Sequence, residues 1–169
     1  MEKKYNKVTV VDEDDNVIGA EKLFDAIDKG MIRRASRIFV FNESGQLLVQ
    51  KRSDKVLKPL LLDQSAAGHV DEGETYEQAA YRELEEELGL GGRTLTLVES
   101  SFRTTNFFNT LYKVTIPDET EINFDIEEVK SVCWYDVDEL TVDLEKSPEK
   151  FTPEFKEVWT LLKDKSIST

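Results

Sequence analysis

Residues 75–89 carry the start and stop signals of a single helix, and that helix constrains the rest of the chain more than any other segment. Thr75 followed three positions later by Gln78 is a capping box, in which each side chain satisfies the other residue's backbone N–H. Gly89 is a natural closing residue, because a helix commonly ends on a left-handed turn that glycine adopts without penalty. Over 76–88, at about 100° per residue, Ala80, Tyr81, Leu84 and Leu88 fall on one side and form the expected buried stripe. Glu83, Glu86 and Glu87 fall together on another side. Like charges at those spacings cost roughly 0.2–0.5 kcal/mol per pair. They also sit in the C-terminal half, where the helix dipole disfavours anions, and only Arg82 lies nearby to offset them. A charge run by itself reads as a solvated face. The other reading is a carboxylate cluster for a hard divalent cation, which takes oxygen ligands and completes its shell with water and substrate phosphates.

The composition sharpens that choice. The net charge is −13, which argues against nucleic-acid binding and against docking on anionic membrane, since both need a basic surface. A metal held by carboxylates would let such an acidic chain grip a phosphate-bearing small molecule. A length of 169 residues fits one domain that needs no disulfides or structural metal. The sole cysteine, Cys133, excludes an intramolecular disulfide framework and a multi-Cys zinc site. Its place beside Trp134 in an apolar run assigns it to the core. There is no signal-type apolar region at the N-terminus and no run of about 18 apolar residues, so a cytoplasmic protein without a membrane span is expected.

Around the helix the chain is rich in strands. Two short apolar runs, 8–11 and 16–20, flank an acidic turn and predict a hairpin, and 21–29 predicts a helix closed by Gly30. Arg37-Ile38-Phe39-Val40-Phe41 reads as a buried strand, Asn42 to Gly45 as a turn and Gln46 to Gln50 as the returning strand. Further strands are expected at 94–98, 107–116 and 129–135, with a helical turn at 138–140 and an amphipathic helix at 153–162. A mixed sheet with helices packed on it, α/β or α+β, follows. The loop entering the central helix, Gly68-His69-Val70-Asp71-Glu72-Gly73-Glu74, has two glycines, one suited to close backbone approach and one to a sharp turn.

Taken together these residues resemble the Nudix box: Gly68, five residues, Glu74, seven residues, Arg82-Glu83-Leu84, one residue, Glu86-Glu87, one residue, Gly89-Leu90. All nine specified positions fit, and a chance match in one window is on the order of 10⁻⁹ at average residue usage, which decides against a merely solvated face. Beyond the box, over residues 8–140, the hairpin, Arg34-Ala35, Leu47 to Ser53 and Ala67-Gly68-His69-Val70 are similar to the Nudix branch related to isopentenyl-diphosphate isomerase.

The resemblance implies an α/β/α sandwich over one domain, 1–169, divided into a hairpin and helix (1–30), a core (31–140) and a C-terminal helix (141–169). It implies a site for Mg²⁺ or Mn²⁺ and hydrolysis of a nucleoside diphosphate linked to another group, or a related small diphosphate. Glu83, Glu86 and Glu87 are the expected metal ligands, with the Ala67 carbonyl as a further one. Arg82 is expected to orient a glutamate, and Glu74 to fix the loop. A general base is expected from outside the box, at Glu127 or Glu128, the latter six residues before Trp134. Arg34, Arg52 and His69 are the expected substrate contacts, with Lys51 a lesser one, and Phe102, Phe107 and Phe108 divide between core and base stacking. The resemblance also admits a homodimer. The alternatives are an isomerase-like protein and a non-catalytic nucleotide-sensing module. Against the isomerase, Ala67 stands where that branch has a cysteine, and His69 is the chain's one histidine, with Arg33 where relatives tend to have another.

Overall fold

A computed structural model describes residues 7–162. The spine of the fold is β3 (Ile32–Asn42). Its alternating side chains are apolar on both faces through its second half, as a central strand covered on both sides requires. Along one edge it pairs in parallel with β8 (Phe107–Ile116), from Arg33↔Phe107 to Asn42↔Ile116. Three antiparallel strands share the other edge in turn. β1 (Lys7–Val11) pairs at Val10↔Arg33, β6 (Ala66–His69) at Ala35↔His69 to Ile38↔Ala66, and β4 (Leu47–Arg52) at Phe41↔Leu47. β2 (Val17–Lys22) completes the expected hairpin with β1, β5 (Leu62–Asp63) and β9 (Val129–Tyr135) flank β4, and β7 (Thr96–Arg103) flanks β8.

The two faces carry separate cores. Ile38, Val40, Leu48 and Ala66 pack against Ala80, Leu84 and Leu88 of α2 (Tyr76–Leu88). Phe39, Phe41, Leu47 and Val49 pack against Leu140 and Leu144 of α3 (Val137–Lys146) and Phe155, Val158 and Trp159 of α4 (Pro153–Leu162). This is the expected sandwich of helix, mixed sheet and helix. α1 (Leu23–Asp28) lies beside the hairpin.

Three expectations are corrected. The segment after β9 is a ten-residue helix rather than a turn, because Asp136 caps the N–H groups of Asp138 and Glu139 and the helix buries Leu140 and Leu144. Tyr81 is exposed rather than part of the buried stripe; α2 is rotated so that Ala79, Ala80, Glu83, Leu84, Glu87 and Leu88 are buried instead. Cys133 is exposed, since β9 pairs with β4 only and forms an edge of the sheet. The capping box and the left-handed Gly89 closure form as expected.

Candidate active site

The loop before α2 sets the site's floor. Gly68 leaves room for Glu83: a Cβ there would lie 2.0 Å from Glu83 Oε1, so any side chain at 68 would displace the carboxylate from its present position. Arg82 then locks loop to helix. Its Nε and Nη2 donate to the two oxygens of Glu74 at 2.8 and 2.9 Å, a bidentate pair, and Nη2 also donates to the His69 carbonyl at 3.0 Å. Nη1 donates to Glu83 Oε1 at 2.5 Å. Glu74 in turn accepts the Asp71 N–H at 2.9 Å. The paired guanidinium holds the Glu74 carboxyl below its ordinary range, and the carboxylates raise the pKa of Arg82.

Glu83 and Glu87 point inward, at 8% and 4% exposure, whereas the Glu86 side chain is half exposed and reaches Arg82 Nη1 at 3.4 Å. Glu87 accepts hydrogen bonds from Gln50 Nε2 at 2.7 Å and from the Ala67 N–H at 3.3 Å. Burial, and then the neighbouring charge of Glu83, push its carboxyl up to about 8. Glu128 comes from far along the chain. The 125–128 turn is docked by Asp125 N–H to the Glu87 carbonyl at 3.0 Å, Ser53 N–H to the Glu128 carbonyl at 2.8 Å and Ser53 Oγ–H to the Glu127 carbonyl at 2.6 Å. Carboxylate oxygens of Glu83, Glu87 and Glu128 consequently lie within 4.8 Å of one another. Of the two outside candidates, Glu127 turns instead to the surface and pairs with Lys55 at 2.5 Å.

Two of the other expected contacts, Arg34 and Arg52, are bonded to protein groups. Arg34 donates from Nε to Asp15 Oδ1 at 2.7 Å and from Nη2 to the Asp15 carbonyl at 2.6 Å, and it stacks over Tyr76. Asp15 also accepts the hydroxyls of Tyr76 and Ser101, so it is a structural hub rather than the surface charge its acidic run implies. Arg52 donates from Nε to the Leu57 carbonyl at 2.9 Å and from Nη1 to Asp63 Oδ2 at 3.2 Å. Lys51 is exposed. His69 points away from α2, its ring centroid 5.5 Å from that of Phe107. Burial and the charges of Arg33 and Arg37 push its imidazole down to about 3. Phe107 and Phe108 are buried, and Phe102 packs against the α3–α4 core.

The residues unanticipated from sequence are Gln50, Asp63, Arg33 and Arg37. A signal for one of them was present: Arg37 heads a run that otherwise reads as a wholly buried strand, and a charge in such a run asks for a reason.

A mixed-sheet sandwich with a glycine loop, a capped helix and converging carboxylates defines a class of sites suited to divalent metal and phosphate. Residues 31–155 match the NUDIX domain model, and the chain belongs to the Nudix family. An isopentenyl-diphosphate Delta-isomerase of Serratia proteamaculans is 34% identical, over 92% of this chain and 88% of that protein. An uncharacterised Nudix hydrolase of Nostoc sp. is 48% identical over 48% of this chain and 49% of its own length. The crystal structure of DR0079 from Deinococcus radiodurans superposes with a TM-score of 0.80 at 27% identity, covering 92% of this chain and 98% of that one. Among the described residues, no helix is long and apolar enough to cross a membrane.

Proposed function

We propose that this protein hydrolyses a diphosphate linkage in a nucleoside diphosphate derivative or a related small molecule, with Mg²⁺ or Mn²⁺ held by Glu83, Glu87 and Glu128. The observation that carries the proposal is the convergence of these three carboxylates within 4.8 Å, two of them buried. Carboxylates so close repel one another, and the Arg82 guanidinium offsets that repulsion at Glu83, on the loop side of the cluster. The donor set is all oxygen, which suits a hard cation. A metal there supplies charge neutralisation for diphosphate oxygens and a bound water of lowered pKa. Gln50 and the Ala67 N–H orient Glu87, and Arg82 orients Glu83. In this reading Glu86, at the exposed rim, would meet a further cation or the substrate, and Glu128 would take the proton of the attacking water through the carboxylate oxygen not bound to the metal. The nearest test is a panel of diphosphate compounds with Mg²⁺ and with Mn²⁺. Glu87→Gln should lower turnover by orders of magnitude with the fold intact, and full activity in that variant refutes the assignment. Saturable ligand stabilisation without any turnover would instead establish a sensing module.

The isomerase relatives favour a second reading. Moving a double bond needs an acid and a base on either side of it. Ala67 supplies neither, and Cys133 lies exposed on the sheet edge with no charged group of the site acting on its thiol. Incubation with isopentenyl diphosphate and Mg²⁺ is expected to give no dimethylallyl isomer; its appearance would overturn the hydrolase reading.

A further inference from the structure

On the sheet face away from α2, three nitrogen-bearing side chains surround the Phe107 ring. Arg33 and Arg37 alternate with Phe39 and Phe41 along β3 and so share the α4 side, as does His69, which pairs across from Ala35. The guanidinium carbon of Arg33 is 4.7 Å from the Phe107 centroid and that of Arg37 is 5.5 Å. Arg33 is only 6% exposed and Arg37 only 4%. Burying a guanidinium is costly unless it is paired. Arg37 Nε donates to Asn109 Oδ1 at 2.7 Å, but among the described residues neither arginine forms a salt bridge. Arg33 Nε and His69 Nε2 are both buried without a hydrogen-bond partner.

The charges of Asp63, Glu154 and Glu157 reach Arg37, and that of Glu154 reaches Arg33, but each carboxylate spends its hydrogen bonds elsewhere. Glu154 is bonded to Lys58, Asp63 to Arg52 and Thr152, and Glu157 to the N–H and hydroxyl of Thr105. Two buried guanidinium groups, one of them with an orphaned Nε, and an imidazole with an orphaned Nε2 are thus gathered beside Phe107 in a protein whose net charge is −13.

We propose that Arg33, Arg37 and His69 form a binding site for a phosphate group, separate from the three carboxylates of the candidate metal site. A tetrahedral oxyanion is the ligand that accepts from several guanidinium N–H groups at once and tolerates an imidazole donor beside them. The two sites are neighbours. Arg37 pairs across from Ala67, whose N–H bonds to Glu87, and the charges of Asp63 and Arg52 act on both Arg37 and Glu87. The ligand is a phosphate that the substrate carries beyond the bond to be cleaved; that assignment rests on the hydrolase reading.

His69 is the chain's single histidine, so its imidazole NMR signals report on this spot alone. With EDTA present, titration of the intact protein with inorganic phosphate should move them saturably, in the wild type and in Glu87→Gln alike. Acetate at matched ionic strength should not. Arg33→Gln should weaken the phosphate response at least tenfold, and since it removes an unpaired buried charge it should fold at least as well; Arg33→Met serves as a second variant. In turnover, Arg33→Gln should raise KM for substrates bearing an additional phosphate and leave kcat within about twofold. An unmoved His69 signal, an equal response to acetate, or unchanged phosphate affinity in both variants would overturn the proposal. If phosphate moves His69 but no diphosphate is ever cleaved, the hydrolase reading fails and the phosphate site stands.

Discussion

Replacing Glu87 with glutamine should make the metal-free protein more stable at neutral and alkaline pH while disabling it. Glu87 is buried beside Glu83, and its carboxyl is raised from 4.5 to about 8. A raised acid binds its proton more tightly in the folded state, so its cost is absent below the unfolded value, grows as pH rises and levels off above the folded value. Between pH 5 and pH 8 that cost grows by about 3 kcal/mol, corresponding to roughly 10 °C in Tm for a domain of this size. The substituted amide would keep the bond from Gln50 through its carbonyl oxygen and carry no charge. Thermal unfolding in EDTA from pH 5 to pH 8.5 should therefore show the wild type losing stability relative to Glu87→Gln as pH rises. His69 titrates in both proteins and drops out of the difference, whereas the charge of the buried Asp63 acts on Glu87 and is part of what the comparison reads. Mg²⁺ should restore the wild type at pH 8 and leave the variant unmoved. Parallel Tm curves in EDTA would show that Glu87 carries no burial penalty and would refute the reasoning.

Other substitutions separate the parts of the site. Glu128→Gln should lower kcat by about 10²-fold or more if it takes the proton, whereas Glu127→Gln, which loses only an exposed pair with Lys55, should leave kcat unchanged in the same assay. Gly68→Ala puts a methyl where Glu83 Oε1 lies, and calorimetric titration should show Mg²⁺ affinity reduced at least tenfold. Arg82→Lys cannot reproduce the bidentate contact with Glu74 and should lower unfolding free energy by about 1–3 kcal/mol, read from urea denaturation.

The parts of the fold legible in the sequence are those set by near neighbours. Thr75, Gln78 and Gly89 define α2 because a cap is a local hydrogen-bond problem, and the β1–β2 hairpin follows from its own turn. The rotation of α2 about its axis is not legible, because Tyr81 and Ala79 compete for the sheet only once β6 is in place. Glu128 stands out as a candidate but cannot be separated from Glu127 by sequence: their difference depends on Ser53 and on the end of α2, both remote along the chain. Arg34 looks suited to a substrate because its partner Asp15 sits in a run that reads as solvated acid. Cys133 reads as core because strand composition does not reveal which strand will lie at the edge of a sheet.

The hub at Asp15 bears on where the working unit begins. The family model starts at residue 31, yet Asp15 lies upstream of it and holds Arg34, Tyr76 at the start of α2, and Ser101 in β7. Val10 and Val11, also upstream, cover part of the β3 edge next to β6. A chain cut to residues 31–155 would keep every carboxylate of the site and lose the Asp15 contacts to Arg34, to Tyr76 on the helix carrying two of those carboxylates, and to Ser101. In this protein the boundary of the family model and the reach of the contacts that hold α2 in place fall at different positions along the chain.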